Sequence, residues 1–479
     1  MTNRHGGDDE LWRYNAQDCV VTRECGEVEA ETIKALGLSE VEAFQQSMFY
    51  PVLRAMNLGV RIDKKTRNEL AEEIQEAISL REDFLTDILG HSINPRSSAQ
   101  MCKLFYEDLK QQPNMTRAKK GVPGHLTCDD EALQKIASRE PLLKPIVNAI
   151  SDIRTLGIFL NTFVLAKLDY DDRMRCSYNI CGTVAYRMSS SKNAFRSGCN
   201  LQTVPSEKSK SVGKSAQRGG VGLLPEFPLP NIRKLFIPDP GFTFFDLDLD
   251  RADLQVVVWE ANDTYLKSAL RAGADIHLLN AYILEGKEPP PLEELVANHP
   301  KYGDYLGPRK HLREFAKVFC HATNYGGSPR TISSHTGRSV TEVERAQRLW
   351  FGAHPGIKAW QERVRTQVVS RRYMENKFGY RWYIFDRPDS ILGEALAWVP
   401  QSTVGVVINR IWRAFYDNLP DVQVLLQVHD SLAGQFPTWK KETVLTRMRE
   451  CAKITIPYDD PLIIPVGIET SESSWGDCT

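Results

Sequence analysis

The chain has 479 residues, 42% of them apolar and 25% charged, with a formal net charge of −1. That balance excludes a disordered or fibrous chain and fits about two to four globular domains at ~100–200 residues each. It gives no basic signature of a nucleic-acid partner, although in a protein this large a basic groove can be offset by acid elsewhere. The N-terminus, MTNRHGGDDELWR, lacks the apolar core of a signal peptide. No apolar run approaches the ~20 residues that span a bilayer, so an intracellular protein without a membrane partner is expected. Ten cysteines are scattered with no C-x-x-C pair, which points to reduced, mostly buried thiols rather than zinc ligands.

In chain order, the pattern from Leu36 to about Leu168 is helical. Its strongest piece, TRNELAEEIQEAISLREDFLTDIL, repeats Leu70, Ile74, Ile78 and Leu85 at near-helical spacing, with Asp63 placed to cap its start. Arg175 to Gln202 has a strand-and-loop texture. A Ser/Gly/Lys-rich loop follows, Ser206–Gly222, with Lys208, Lys210, Lys214 and Arg218; it reads at least as well as a solvated linker as it does as a nucleic-acid contact. PGFTFFDLDLDRADLQVVVWEA predicts a strand, a polar break and a helix. Helical pattern then dominates from His277 to about Tyr373, interrupted at EPPPLEEL. The apolar run VQVLLQVHDSLAGQF and a last strand, PLIIPVGIE, close the chain. Strands from distant parts of the chain, separated by helical insertions, predict an α+β sheet domain with helical domains folded out of it.

Three patterns carry chemistry. Alternation in FFDLDLD sets Asp246, Asp248 and Asp250 on one strand face, where like charges repel unless cations or solvent offset them. By itself this is equally well an exposed edge face. His429 and Asp430 interrupt an apolar run, and a carboxylate in such surroundings is normally neutralised, paired or bound to metal. Two carboxylates from separate strands can hold two divalent metals ~3.5–4 Å apart, as phosphoryl transfer uses them. Between them, Arg313, Lys317, His321 and Tyr325 recur every four residues and form one stripe on a helix, cations first and rings last. Paired cations suit a polyphosphate, and rings suit a base.

These motifs, in this order, resemble motifs A, B and C of the family A DNA polymerases: LDLDRADLQ, the Arg313/Lys317/Tyr325/Gly326 pattern, and QVHDS. YRMSSSKNAFRSGCNLQTVP, GADIH, HPGIKAW, NKFGYR, VPQST and NLGVRID resemble further family segments, so the similarity runs from about residue 12 to 476. The resemblance implies a right-hand α+β polymerase fold with an antiparallel-sheet palm and helical fingers and thumb. The implied division is 1–35 the C-terminal end of a 3′–5′ exonuclease domain, 36–170 thumb, 171–262 first part of the palm, 263–390 fingers and 391–479 second part of the palm. It implies extension of a primer 3′-hydroxyl with dNTPs on primer–template DNA, with release of pyrophosphate.

Residue by residue, Asp248 and Asp430 are expected to ligate two Mg²⁺ ions, for which Mn²⁺ can substitute, with the Leu249 carbonyl as an extra ligand. Lys317 would bind the triphosphate and protonate the leaving pyrophosphate, and Arg313 and His277 would hold the outer phosphates. Tyr325 would sit at the template base beside the nascent pair. Arg187, Gln202, Gln401 and His429 would meet primer or template without reading sequence. The chain departs from the family pattern at four places. Asp253 stands where a Glu excludes the ribose 2′-hydroxyl, so sugar discrimination is open. His321 stands where a Phe or Tyr governs dideoxynucleotide use. Ser431 replaces the third carboxylate of motif C, for which Asp246 or Asp250 is the expected compensation. P-x-Q-G-T reads Pro400-Gln401-Ser402-Thr403.

YNAQDCVVT resembles the last exonuclease motif, with Tyr14 and Asp18 in its Y-x-x-x-D places; the other acidic motifs have no room before it. No proofreading is therefore expected from this chain alone. The nuclease is expected either on a separate 3′–5′ exonuclease chain that docks here or on a longer parent protein, and a processivity factor is a further expected partner. The expected location is intracellular, nucleoid-associated, in a bacterial or virus-infected cell. Two rival readings remain: a polymerase with relaxed choice between dNTP and rNTP, and a catalytically silent protein that binds primer–template or a nuclease partner.

Overall fold

The acidic run Phe242–Leu249 becomes the second strand of a four-stranded antiparallel sheet ordered Val466–Ser471, Phe242–Leu249, Ser431–Pro437, Gln423–Val428. The structure is a computed structural model that describes residues 8–116, 123–205 and 224–478. The basic loop Ser206–Gly222 lies outside the described residues. Thr243, Phe245, Leu247 and Leu249 turn to one face of the sheet and are buried. Phe244, Asp246 and Asp248 turn to the other, where Trp475 stacks on Phe244 at 6.4 Å between ring centroids. The strand is paired on both sides, so the edge-strand alternative is set aside.

The long helix Pro388–Asn418 packs beneath this sheet and on the helix Ala252–Ala261. By length and composition its stretch Ser390–Asn418 would pass for a membrane span, a run the sequence reading did not single out. However, 72% of its most apolar window is buried within the protein, which makes it a core helix.

Two helical lobes leave the sheet domain. In the first, Lys64–Leu89 starts at Asp63, whose carboxylate accepts from the Lys65 and Thr66 N–H groups at 3.0 and 3.3 Å. Its face of Leu70, Ile74, Ile78 and Leu85 is buried. The buried Arg81 reaches Asp152 of the helix Lys144–Ile158 at 3.0 Å, a paired charge inside the lobe. The segment before Lys64 behaves differently from the expected thumb. The helix Phe49–Leu58 lies on the strand Gln423–Val428, and Val60–Ile62 pairs with Arg173–Met174 and Phe236–Ile237. Residues 39–62 therefore group with the sheet domain, and the first lobe begins near Lys64 rather than at residue 36. The helix Asp8–Ala35 stands exposed along its length, with Tyr14 and Asp18 outward.

The second lobe is helical from Ile276 to Ser370, including Ile276–Glu285, Lys310–Asn324 and Pro329–Thr336. All ten cysteines are free thiols.

Candidate active site

His429 and Asp430 form the two-residue turn between the strands Gln423–Val428 and Ser431–Pro437, with Ser431 opposite Val428. His429 takes a φ of 57°, which favours glycine, so the turn is held against a local backbone cost. What holds it is visible. The Leu249 N–H donates to the Asp430 carbonyl at 3.4 Å, and the Gln427 amide donates to the His429 carbonyl at 2.6 Å. Ser431 lies opposite Asp248 in the sheet. Pairing across the sheet, rather than proximity in the chain, brings Asp248 and Asp430 together.

Asp248 is pushed up to about 7, first by burial and then by the charges of Asp430, Asp246, Asp250 and Glu469. The two expected substitutes for a third carboxylate are already engaged. Asp246 accepts from Trp475 Nε1 at 2.8 Å and Arg233 at 3.2 Å, and Asp250 is clasped by Arg251 at 2.8 Å. Burial nevertheless holds the Asp246 pKa above the usual carboxylate range, and its Oδ1 has no partner among the described residues. Glu469, which sequence reasoning missed, faces Asp246 across the sheet and is exposed. Among the described residues no three Asp, Glu, His or Cys side chains converge into a closed cage. A sparse pair of hard oxygen donors, short of counter-charge, fits Mg²⁺, which keeps most of its water and takes one or two carboxylates.

A cleft of about 690 Å³ opens from this acid end into the second lobe, lined by Asp248, Asp430, Arg251, Asp253, His277, Lys317, His321 and Tyr325 among others. The stripe helix Lys310–Asn324 supplies one wall. Its buried side holds Ala316, Phe319 and Cys320, which leaves Lys317 and His321 to face outward. The helix stops where Gly326 takes a φ of 77°. Gly327 N–H closes on Ala322 C=O at 2.8 Å and Gly326 N–H on Thr323 C=O at 3.0 Å. That stop fixes Tyr325, whose ring meets the His321 ring edge-on at 4.7 Å.

Lys317 has no carboxylate partner among the described residues, whereas Arg313 differs from expectation. Its Nε donates to Asp275 at 2.7 Å, another nitrogen meets Glu314 at 2.9 Å, and it does not line the cleft. Asp275 also caps the helix Ile276–Glu285 by accepting from the His277 N–H at 3.0 Å. His277 is pushed down to about 4, mainly by burial and further by Arg313, Lys317 and Arg251, so it is a neutral hydrogen-bonding ring near pH 7.

Asp253, at the mouth of the helix Ala252–Ala261, is held by Arg187 at 3.4 Å, while burial raises its pKa. Three polar groups on the cleft wall are buried without a hydrogen bond among the described residues: His277 Nδ1, both amide atoms of Asn280, and the Tyr325 hydroxyl, which faces the Asp253 carboxylate. Sequence reasoning missed Asn280, Arg251 and Thr331; only the D-R step after the acidic strand gave a local signal for Arg251. Gln202 is 7% exposed, with its amide on Gln427 at 2.7 Å and on the Met188 carbonyl at 3.1 Å. It thus supports the turn through Gln427 instead of presenting its own amide. Gln401 lies half-buried on the long helix beside Pro400.

A family model described as DNA polymerase family A matches residues 64–477. The thermostable DNA polymerase I of Thermus filiformis is 26% identical over 423 residues, 86% of this chain and 45% of that protein. DNA polymerase I of Treponema pallidum (strain Nichols) is 25% identical over 485 residues, 97% of this chain and 43% of that protein. The chain thus spans about half the length of these curated relatives. Among solved structures, the POL domain of Pol1 from M. smegmatis, in complex with DNA primer-template and dNTP, superposes with a TM-score of 0.74. That match has 18% identity and covers 94% of this chain and 73% of the other; the likeness is one of fold.

Proposed function

The chain belongs to DNA polymerase family A, with the family's α+β right-hand fold, and from that premise we propose that its cleft extends a DNA primer with dNTPs on a template and releases pyrophosphate. One observation carries the reading. An acid pair short of counter-charge, Asp248 and Asp430, shares a cleft with the ammonium of Lys317 and with three buried polar groups, none of them paired among the described residues. A nucleoside triphosphate satisfies both halves, because its phosphates take cations and hydrogen-bond donors while its approach to the carboxylates is bridged by divalent metal.

Asp248, Asp430 and the Leu249 carbonyl would hold two Mg²⁺ ions, for which Mn²⁺ could substitute. When bound, such ions neutralise charge on the attacking and leaving oxygens. The chain's own groups do the rest. Lys317 binds the triphosphate and delivers a proton to the departing pyrophosphate, and neutral His277 donates a hydrogen bond to the outer phosphates. Arg313 joins them only after exchanging Asp275 for phosphate. Tyr325 and His321 form the ring floor for the nascent pair, and Asp253, pinned by Arg187, borders the sugar. Arg187, Gln401 and His429 touch primer and template, with Gln202 behind them.

The proposed division keeps 171–262 and 391–479 as palm and 263–390 as fingers, with the thumb reduced to its lobe from Lys64. Proofreading would come from a separate 3′–5′ exonuclease chain or a longer parent protein, and a processivity factor would be a further partner. The proposed setting is inside a bacterial or virus-infected cell, at the nucleoid.

Primer extension with Mg²⁺ and four dNTPs, wild type beside Asp430→Asn, tests the reading. Extension by the first and none by the second is expected. A wild type that binds primer–template yet never extends it would replace this function with a silent DNA-binding one.

A further inference from the structure

The stretch Lys192-Asn193-Ala194-Phe195-Arg196-Ser197 has no part in the cleft, yet it is built with care. Asn193 Oδ1 accepts from the Phe195 and Ser197 N–H groups at 2.9 and 3.0 Å, and its Nδ2 donates to Ser197 Oγ at 2.6 Å. Its backbone closes on Ser197 and Arg196, the latter at a φ of 60°. Asp169 ties the loop down from below by accepting from Ser197 Oγ and from Asn193 at 3.3 Å. Gly198 then passes so close to Arg175 that an added Cβ would lie 1.8 Å from its carbonyl oxygen.

This bonded base presents Phe195 at 86% exposure. A lone exposed Phe needs no explanation. One fixed at the tip of a rigid loop is different, because the loop cannot fold its ring away. The same loop carries Lys192 and Arg196, and its base is bonded to Lys167 through Gly198 N–H; these cations are exposed and without an ion pair among the described residues, and Tyr170, next to Asp169, is 100% exposed. The nearby acids are already spent: Asp171 on Arg175 at 2.6 Å and Asp172 on Lys64 at 3.1 Å. What remains outward is aromatic and positive.

Its location gives the partner. Ser190 pairs with Tyr178, whose hydroxyl accepts from the Gln427 N–H at 3.0 Å on the strand that leads to Asp430. Phe195 is five residues beyond Ser190, so its backbone lies within roughly 17 Å of Ser190 at ~3.4 Å per residue. That span equals about five base steps of a duplex at ~3.4 Å each. The loop also sits where the first helical lobe joins the sheet domain, since Asp169 follows that lobe's last turn and Arg175 bonds back to Asn57 at 2.8 Å.

We propose that the Lys192–Ser197 loop grips the duplex within the first few base pairs behind the primer end, with Lys192 and Arg196 on phosphates and Phe195 against sugars and base edges. Cations on phosphates position a duplex without reading it, and a rigid ring adds apolar contact at little entropic cost. This rests on the polymerase reading above, and its test separates the two.

The affinity of the full chain for a fluorescein-labelled primer–template is measured by anisotropy across a NaCl series. Arg196→Ala and Lys192→Ala should each weaken binding and flatten the log–log salt slope by about 0.9. Phe195→Ala should weaken it about fivefold or more with the slope unchanged. Trp439→Ala serves as control: it is 80% exposed and lies past the far end of the strand that starts beside Asp430. Binding within twofold of wild type in all three loop variants, or an equal loss in the control, would overturn the inference. If the wild type binds but does not extend primers, the polymerase reading falls while this comparison stands.

Discussion

The two walls of the cleft are made in different ways. On the sheet side, strand register holds Asp248 and Asp430 through backbone pairing, and Asp246 and Asp250 are locked to Arg233, Trp475 and Arg251. On the helical side, Lys317 has no ion pair among the described residues, and His277, Asn280 and Tyr325 carry buried atoms without hydrogen bonds there. One wall is fixed in place before anything binds, short only of cations, and the other is completed by what binds. Fixed charge suits a reacting centre, which gains from groups that need not reorganise. Unfilled donors and acceptors suit recognition, because leaving them unpaired penalises the wrong occupant.

That contrast breaks first at Asp248. Asp248→Asn should lower the single-turnover incorporation rate on the order of 10³-fold while dNTP affinity stays within a few fold, since the recognition wall is untouched. Thermal unfolding of the variant should match or exceed wild type, because a repelled carboxylate is removed. A loss of stability together with rate would show that the acid pair is structural.

Lys317→Ala should cost about 10²-fold in rate and also weaken dNTP binding, with Lys317→Arg restoring the binding and only part of the rate. Quench-flow at varied dNTP separates the two effects. Full recovery of the rate in Lys317→Arg would remove the proton-donor role and leave a charge.

Sugar choice should respond by about tenfold. Asp253 carries one methylene fewer than Glu, and Arg187 holds it at 3.4 Å. Asp253→Glu should lower ribonucleotide incorporation relative to deoxyribonucleotide, as one methylene in a binding pocket is worth roughly 10–200-fold. Unchanged competition between the two sugars would clear Asp253 of that role.

How much could be read beforehand follows the same divide. The alternation that put Asp246 and Asp248 on one face, the spacing by four that aligned Lys317, His321 and Tyr325, and the Asp63 cap are local, and local geometry translates directly into structure. Glu469 was invisible because it reaches Asp246 only by pairing of distant strands. The hold of Asp275 on Arg313 was equally invisible, because Asp275 lies 38 residues earlier. Nothing local reveals the bond from Gln202 to Gln427, 225 residues on. The packing of Phe49–Leu58 was hidden for the same reason: periodicity says that it is a helix, not that it lies on the strand Gln423–Val428. The fold class survived because it depends on the order of elements, which chain order supplies.

The smallest expected effect tests the unfilled wall itself. His277 is held near 4, below the ordinary 6.5, by burial and by Arg313, Lys317 and Arg251, with Asp275 opposing. A histidine whose folded pKa is depressed is buried neutral, so its contribution is whole above pH 6.5 and is lost as the pH falls from there toward about 4. Wild type should therefore lose more Tm than His277→Gln between pH 7 and 4.5, by a few degrees at most for one group in a chain this long. Differential scanning fluorimetry of both proteins across that range reads the difference directly. A Tm gap that stays flat with pH would mean that the ring is already solvated or paired, and the recognition wall would then be as complete as the catalytic one.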